Sequence, residues 1–346
     1  MPALLQVGLG TWGLDWATTV LPEVPEMELV ACVDTRPEAL KAACDAGVVS
    51  ARQCYSSIAD AVKDRELDAV LVTTDGSHHA DIVRAALRAR KHVLVEKPFV
   101  LSVAEAQELT DEAAALDRTL MVSQNYRFFP AVRAAQDIVK SQQLGQLLHV
   151  AVDFRRLGRR SGRHVHWRHP LLLDMGIHHF DLMRAVLGRE PRTVDCRAWN
   201  PPWSGYSDPP EASAIIDFGD GVTVSYRGSY VYPGPPTAWA GEWLMEFEQG
   251  AVLWTSRGDL STLRSAEGDV VSVHRPETAL DRIALPHLEL LDRAGALDAF
   301  ARALASGTTP ESAAADNLGS VALACAAIRS AECREPVQAM TSANLR

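Results

Sequence analysis

Two short segments carry the residue types that proton transfer at a carbinol would need. The first is Glu96-Lys97-Pro98-Phe99, directly after an apolar run at residues 92–95. Pro98 forces Lys97 out of helical conformation, which ends a strand there and aims the ammonium outward. The second is Leu173-Asp174-Met175-Gly176-Ile177-His178-His179-Phe180-Asp181, continuing to Leu187-Gly188. Read as a helix, Asp174, His178 and Asp181 fall within an arc of ~60°. Ile177, Phe180, Met183 and Leu187 make the opposite, buried stripe. A carboxylate and an imidazole then project together, as a proton-transfer pair requires. An imidazole with an unperturbed pKa near ~6.5 makes His178 the natural base near neutrality. Lys97 can donate to a developing alkoxide, and Asp174 can orient either a substrate hydroxyl or the imidazole. Each of these residues, taken alone, reads more readily as a solvated surface group.

What gives them company is Gly8-Leu9-Gly10-Thr11-Trp12-Gly13, immediately after the apolar run at residues 3–7. The first glycine permits a tight turn, the second lets backbone approach a pyrophosphate, and the third lets a helix pack on the strand with its amino end toward the anion. An acidic residue, Asp34 of Asp34-Thr35-Arg36, closes the second apolar run 24 positions after Gly10. A carboxylate there accepts hydrogen bonds from ribose hydroxyls and repels a 2′-phosphate, which favours NAD. Arg36 could pair with that phosphate, so NADP stays open. Beside such a cofactor, hydride leaves a carbinol carbon only as its hydroxyl loses a proton, and the first two segments supply the base and the polarising cation.

The elements that must position these groups follow from apolar patterning. Residues 3–7, 29–33, 69–73, 92–95 and 120–123 are continuous apolar runs, as expected of parallel strands covered on both faces. Ser102 with Glu105 forms a capping box opening a helix through Ala106, Leu109, Ala113 and Leu116. Residues 130–141 read as a helix. Longer strands follow at 147–155, 212–218, 222–230, 243–247 and 251–255, with Gly219-Asp220-Gly221 turning a hairpin. Residues 200–210 and 232–241 read as loops, and 312–332 as a closing helix. The expected architecture is α/β: a Rossmann dinucleotide-binding domain at 1–124, then an α+β domain at 125–346 with a mainly antiparallel open sheet.

Composition narrows the function classes. The chain has 346 residues, 47% hydrophobic and 23% charged, with 34 Lys and Arg against 44 Asp and Glu for a formal charge of -10. That balance argues against nucleic acid and against anionic membranes as partners. No apolar stretch approaches the roughly 20 residues of a membrane span, and no signal peptide is visible. The six cysteines show no C-x-x-C pair, which fits a reducing, cytoplasmic compartment. Five of 11 histidines lie between His164 and His179, but His164-x-His166-x-x-His169 matches no compact metal-ligand pair, so no metal is expected.

The ordered set of the glycine fingerprint, Asp34, Thr74…His79, Lys91-His92-Val93-Leu94-Val95-Glu96-Lys97-Pro98, Asn125-x-Arg127, Asp174-x-x-x-His178-x-x-Asp181 and the closing Ala327-Ile328-Arg329-Ser330-Ala331-Glu332 resembles the Gfo/Idh/MocA oxidoreductases, such as glucose–fructose oxidoreductase and inositol dehydrogenase. The resemblance implies NAD(H) or NADP(H) bound by the first domain and a sugar, sugar acid or cyclitol held on the second domain's sheet. By position, Lys97 matches the family's catalytic lysine, which often precedes a cis proline, and Asp174 and His178 match its substrate-domain pair. Thr74, His79 and Glu96 match residues lining the cofactor crevice, and Asn125, Arg127, Trp167 and His169 are expected near the substrate. A homodimer or homotetramer is implied as well. The sequence departs from the family at Asp75-Gly76, where a Pro-Asn turn is common, and at His169-Pro170, where Gly-Gly is common. After Trp167-Arg168, the second change points to a different pocket with an aromatic sugar platform. Two other readings stay open here: a non-catalytic nucleotide or sugar sensor, and a redox-neutral epimerase or glycosidase with tightly held NAD.

Overall fold

The computed structural model describes residues 1–64, 66–158, 163–258 and 266–339. They form two compact units. In the first, six parallel strands, β1 (Ala3–Val7), β2 (Glu28–Val33), β3 (Cys54–Tyr55), β4 (Ala69–Val72), β5 (His92–Val95) and β6 (Leu120–Val122), run in the order β3-β2-β1-β4-β5-β6. This is the doubly wound dinucleotide-binding order. Val7 lies in register with Val33 on one side and Val72 on the other, which brings the carboxyl ends of the central strands level. Every residue of β4 is buried, which explains its continuous apolar run. Helices α1 (Thr11–Asp15), α2 (Pro37–Asp45), α3 (Ile58–Asp64), α4 (His79–Arg88) and α5 (Val103–Ala115) fill the connections. The Ser102 hydroxyl accepts from the Glu105 N–H and caps α5, one of the two bonds of a capping box. Past α1 the helical run widens into a π turn at Trp16–Val20. Thr18 and Thr19 bond back to the carbonyls of Leu14 and Asp15 there, a habit that bends helices.

The second unit is built on nine strands: β7 (Leu147–Arg155), β8 (Thr193–Trp199), β9 (Glu211–Asp217), β10 (Thr223–Ser229), β11 (Glu242–Phe247), β12 (Gly250–Thr255), β13 (Val270–His274), β14 (Asp281–Arg282) and β15 (Val337–Gln338). Their order is β14-β13-β12-β11-β7-β10-β9-β8-β15. All neighbours are antiparallel except β10 and β7, so the sheet is mixed. Left-handed backbone at Gly219, Asp220 and Gly221 makes the expected hairpin between β9 and β10. Sequence patterning passed over β8, β13, β14 and β15; β8 does alternate in and out, but the outermost strands are too short to show a period. Residues of α6 (Pro130–Ser141) and α7 (Ile177–Leu187) share one apolar core with the alternate residues of β7, β9, β10 and β11.

The chain ends with α8 (Asp292–Ser306) and α9 (Ala314–Cys333). Here the structure departs from a simple split at residue 124. The first unit comprises Met1–Asn125 and also Arg293–Val321, a segment that the sequence pattern assigns to the second domain. The reason is hydrogen bonding to β6: Val122 N–H donates to the Ser312 carbonyl at 2.9 Å, and the Ser312 hydroxyl donates to the Val122 carbonyl at 2.8 Å. No helix among the described residues is long and apolar enough to cross a membrane.

Candidate active site

The carboxyl ends of β1, β2, β4 and β5 bring the first unit's expected residues together. Gly8 takes φ +98°, and a Cβ there would lie 2.7 Å from Thr74 Cγ2. At Gly13 a Cβ would lie 2.0 Å from the Gly8 carbonyl oxygen. Gly10 differs, because its Cβ would meet only Arg36 Nη2, at 3.7 Å. Two of the three glycines are thus demanded by protein packing, and the third leaves backbone open on a groove of about 480 Å³ lined by Leu9, Gly10, Thr11, Arg36 and Ala39. Such an opening fits a dinucleotide pyrophosphate.

Asp34 is buried beneath the same loop. Its Oδ2 accepts from the Leu9 N–H at 2.7 Å, and its Oδ1 accepts from Arg36 N–H at 2.9 Å and Arg36 Nε at 3.2 Å. Burial alone would raise this carboxyl; the Arg36 guanidinium and the two backbone donors overcome it and hold the group below the usual range. Thr35 is exposed beside it. Two residues missed in the sequence brace the loop from below. Gln6 Nε2 donates to the Gly13 carbonyl at 2.7 Å, and the Thr73 hydroxyl donates to the Gly8 carbonyl at 2.6 Å.

The Lys97–Pro98 peptide is cis. Behind it, Glu96 is buried, accepting from the Trp16 indole at 2.7 Å and from the Lys97 N–H at 3.1 Å. His79 is fully buried and pins the turn through Nδ1 to the Pro98 carbonyl at 2.8 Å. His79 and Glu96, expected in the cofactor crevice, are both buried and bond to the turn that carries the half-buried Lys97. Trp12 is exposed, with the Arg293 guanidinium 4.1 Å over its ring. Arg293 also pairs with Asp15, a link between sequence-distant residues that no local pattern announces.

In the second unit, Asp174 lies in a π turn at Leu172–Gly176 that leads into α7. Tyr230 donates its phenolic hydrogen to Asp174 Oδ2 at 2.7 Å. Four residues on, His178 stacks on Tyr126, with ring centroids 4.0 Å apart and planes 7° apart. Neither tyrosine was singled out in the sequence. The helix-face reading needs correction on two counts. The wider turn moves Asp174 off regular α-helical spacing, and α7 is buried around nearly its whole circumference, so it has no solvated polar face. Asp181 is 1% exposed and bound by both Arg127 Nε and Nη2 at 2.7 Å, a structural ion pair instead of a third polar group beside Asp174 and His178.

The expected substrate contacts also divide. Arg127 is engaged by Asp181, and Asn125 is buried in the short 3-10 turn Asn125–Arg127. His169 is buried with its Nε2 3.1 Å from Glu332 Oε1. Trp167 is half-buried on the same segment. Among the described residues, no group of three or more His, Cys, Asp or Glu is placed to hold a metal ion.

A family model described as "Oxidoreductase family, NAD-binding Rossmann fold" matches residues 4–124, and the GFO/IDH/MocA C-terminal domain matches residues 132–258. The chain is a Gfo/Idh/MocA oxidoreductase. This bears out the family read from the ordered motifs. The oxidoreductase is 26% identical over 343 residues to the uncharacterised protein y4oX of Sinorhizobium fredii, covering 97% of this chain and 95% of that one. It is 25% identical over 231 residues to a scyllo-inositol 2-dehydrogenase (NAD(+)) of Bacillus subtilis, covering 66% and 67%. An oxidoreductase from Agrobacterium radiobacter, crystallised with NAD+, L-tartaric acid and magnesium, superposes with a TM-score of 0.84 at 20% identity over 98% of each chain. At that identity the likeness concerns the fold. The first unit of this Gfo/Idh/MocA oxidoreductase is an NAD-binding domain, and the groove beside Gly10 fits a dinucleotide.

Proposed function

We propose that this oxidoreductase interconverts a secondary hydroxyl and a ketone on a sugar, sugar acid or cyclitol. NAD, when bound, supplies the hydride acceptor or donor. His178 takes the hydroxyl proton during oxidation and returns it during reduction. Lys97 donates a hydrogen bond to the carbinol oxygen as negative charge develops there. Asp174, fixed through Tyr230, orients the hydroxyl. The observation that carries the reading is Asp174, held by the Tyr230 hydroxyl, four residues ahead of His178 stacked on Tyr126. The inositol dehydrogenase among its relatives supports the substrate class. To test it, Lys97→Ala and His178→Ala are assayed for NADH formation across a panel of polyols and sugar acids. Losses on the order of a hundredfold or more are expected in both; unchanged turnover in either ends the assignment.

We also infer a homo-oligomer in a reducing, cytoplasmic setting, in keeping with six free cysteines. One row of residues across the sheet runs Leu253, Leu244, Ala151, Ser225, Ile215. Leu253 and Ile215 are 43% and 52% exposed in the single chain. A second copy laid on this face would cover them. A monomeric mass by light scattering would refute it.

A further inference from the structure

The backbone of His169 has φ +45°, in the left-handed region that a side chain with Cβ resists. The strain sits at an influential place. The His169 carbonyl accepts from the Leu173 N–H at 3.1 Å, opening the helical run that begins at Pro170, passes through the π turn bearing Asp174 and continues as α7. Two contacts from α9 hold the segment in that conformation: Glu332 Oε1 lies 3.1 Å from His169 Nε2, and the same carboxylate pairs with Arg168. The imidazole is only 5% exposed, so its ring cannot swing away without opening the packing around it. The carboxylate makes Nε2 the protonated nitrogen. A residue that is sterically unwelcome in its backbone region is thus tied by its own side chain to a helix 163 positions away.

We infer that His169 and Glu332 form a positioning pair that sets the turn presenting Asp174. Neither is a catalytic residue. The inference rests on the reading that Asp174 meets the substrate, and it locates part of that site's geometry in a tether between α9 and the turn ahead of α7. Glu332→Gln keeps an acceptor for Nε2–H; Glu332→Ala removes it; His169→Gly accepts the left-handed backbone and loses the tether.

The test combines hydrogen exchange with kinetics. In Glu332→Ala and His169→Gly, amides of residues 172–176 are expected to exchange faster than in the wild type, while Glu332→Gln and the exposed control Arg329→Ala stay at the wild-type rate. For polyol oxidation, Glu332→Ala and His169→Gly are expected to lose on the order of tenfold in kcat/KM for the polyol with KM for NAD unchanged, and Glu332→Gln to restore it. Wild-type exchange in both tether-deleted variants overturns the inference, whatever the activity. A wild-type enzyme inert toward every polyol overturns the functional reading instead, and the exchange data then still decide whether the tether sets the turn.

Discussion

The Tyr230 hydroxyl lies 2.7 Å from Asp174 Oδ2, although 56 residues separate them in the chain. The tyrosine is 7% exposed, and its ring stands edge-on to Phe154 and parallel to Tyr206. Burial first, and the Asp174 carboxylate second, push the phenol well above its usual range, so it remains a donor wherever the enzyme works. One carboxylate oxygen is thereby fixed, and with it the direction of the other.

Tyr230→Phe keeps the ring and its aromatic neighbours and deletes only this donor. The expected result is a drop on the order of tenfold in kcat/KM for the polyol, with NAD binding unchanged and stability lower by about 1 kcal/mol. Steady-state kinetics and urea melts on the same preparation measure both. Equal kinetics in the two proteins would show that Asp174 needs no such guide.

The three glycines of the fingerprint are predicted to fail in different ways. Gly13→Ala forces a Cβ to within 2.0 Å of the Gly8 carbonyl oxygen, so it should melt markedly lower or not accumulate. Gly10→Ala meets no protein atom closer than 3.7 Å, and its φ of -61° suits alanine. That variant should melt like the wild type while losing the thermal upshift that NAD confers. Scanning fluorimetry with and without NAD separates the two outcomes.

Arg127 and Asp181 are 4% and 1% exposed and joined by two bonds of 2.7 Å. Removing one partner strands a buried charge, so Arg127→Ala or Asp181→Ala should destabilise by about 3–5 kcal/mol, and the double variant by less than the sum. Urea unfolding of the four proteins gives the coupling. A simple sum would mean that the pair is not linked.

His179 supplies a pH dependence. Its Nε2 lies 3.0 Å from the Trp239 carbonyl and its Nδ1 3.1 Å from the Tyr226 hydroxyl, so the neutral ring donates to the first and accepts from the second. Burial lowers it to about 4, only partly countered by the Trp239 carbonyl. The unfolded chain, with an ordinary histidine, binds more protons between that value and about 6.5, so stability should fall as pH drops through this window. The loss attributable to His179 is at most about 3 kcal/mol and is complete below pH 4. Comparing urea midpoints at pH 7 and pH 4.5 for wild type and His179→Gln checks it: the variant should show a shallower pH slope.

Sequence alone determined whatever depends on neighbours in the chain. The glycine spacing, Asp34 at the end of its strand, the continuous apolar runs and Lys97 before Pro98 are local, and each carries its own steric or patterning signature. From them came the Rossmann domain, the family and the three residues assigned to the chemistry. Tertiary structure decided which side chains frame the site. His79 under Pro98, Arg127 on Asp181, Tyr230 on Asp174 and Glu332 on His169 join residues 19 to 163 positions apart, and no period in the sequence encodes such pairings. The helix-face arithmetic for Asp174 and Asp181 failed for a related reason. It assumed a regular helix with one wet face, whereas the chain enters α7 through a π turn and packing closes over every side of it.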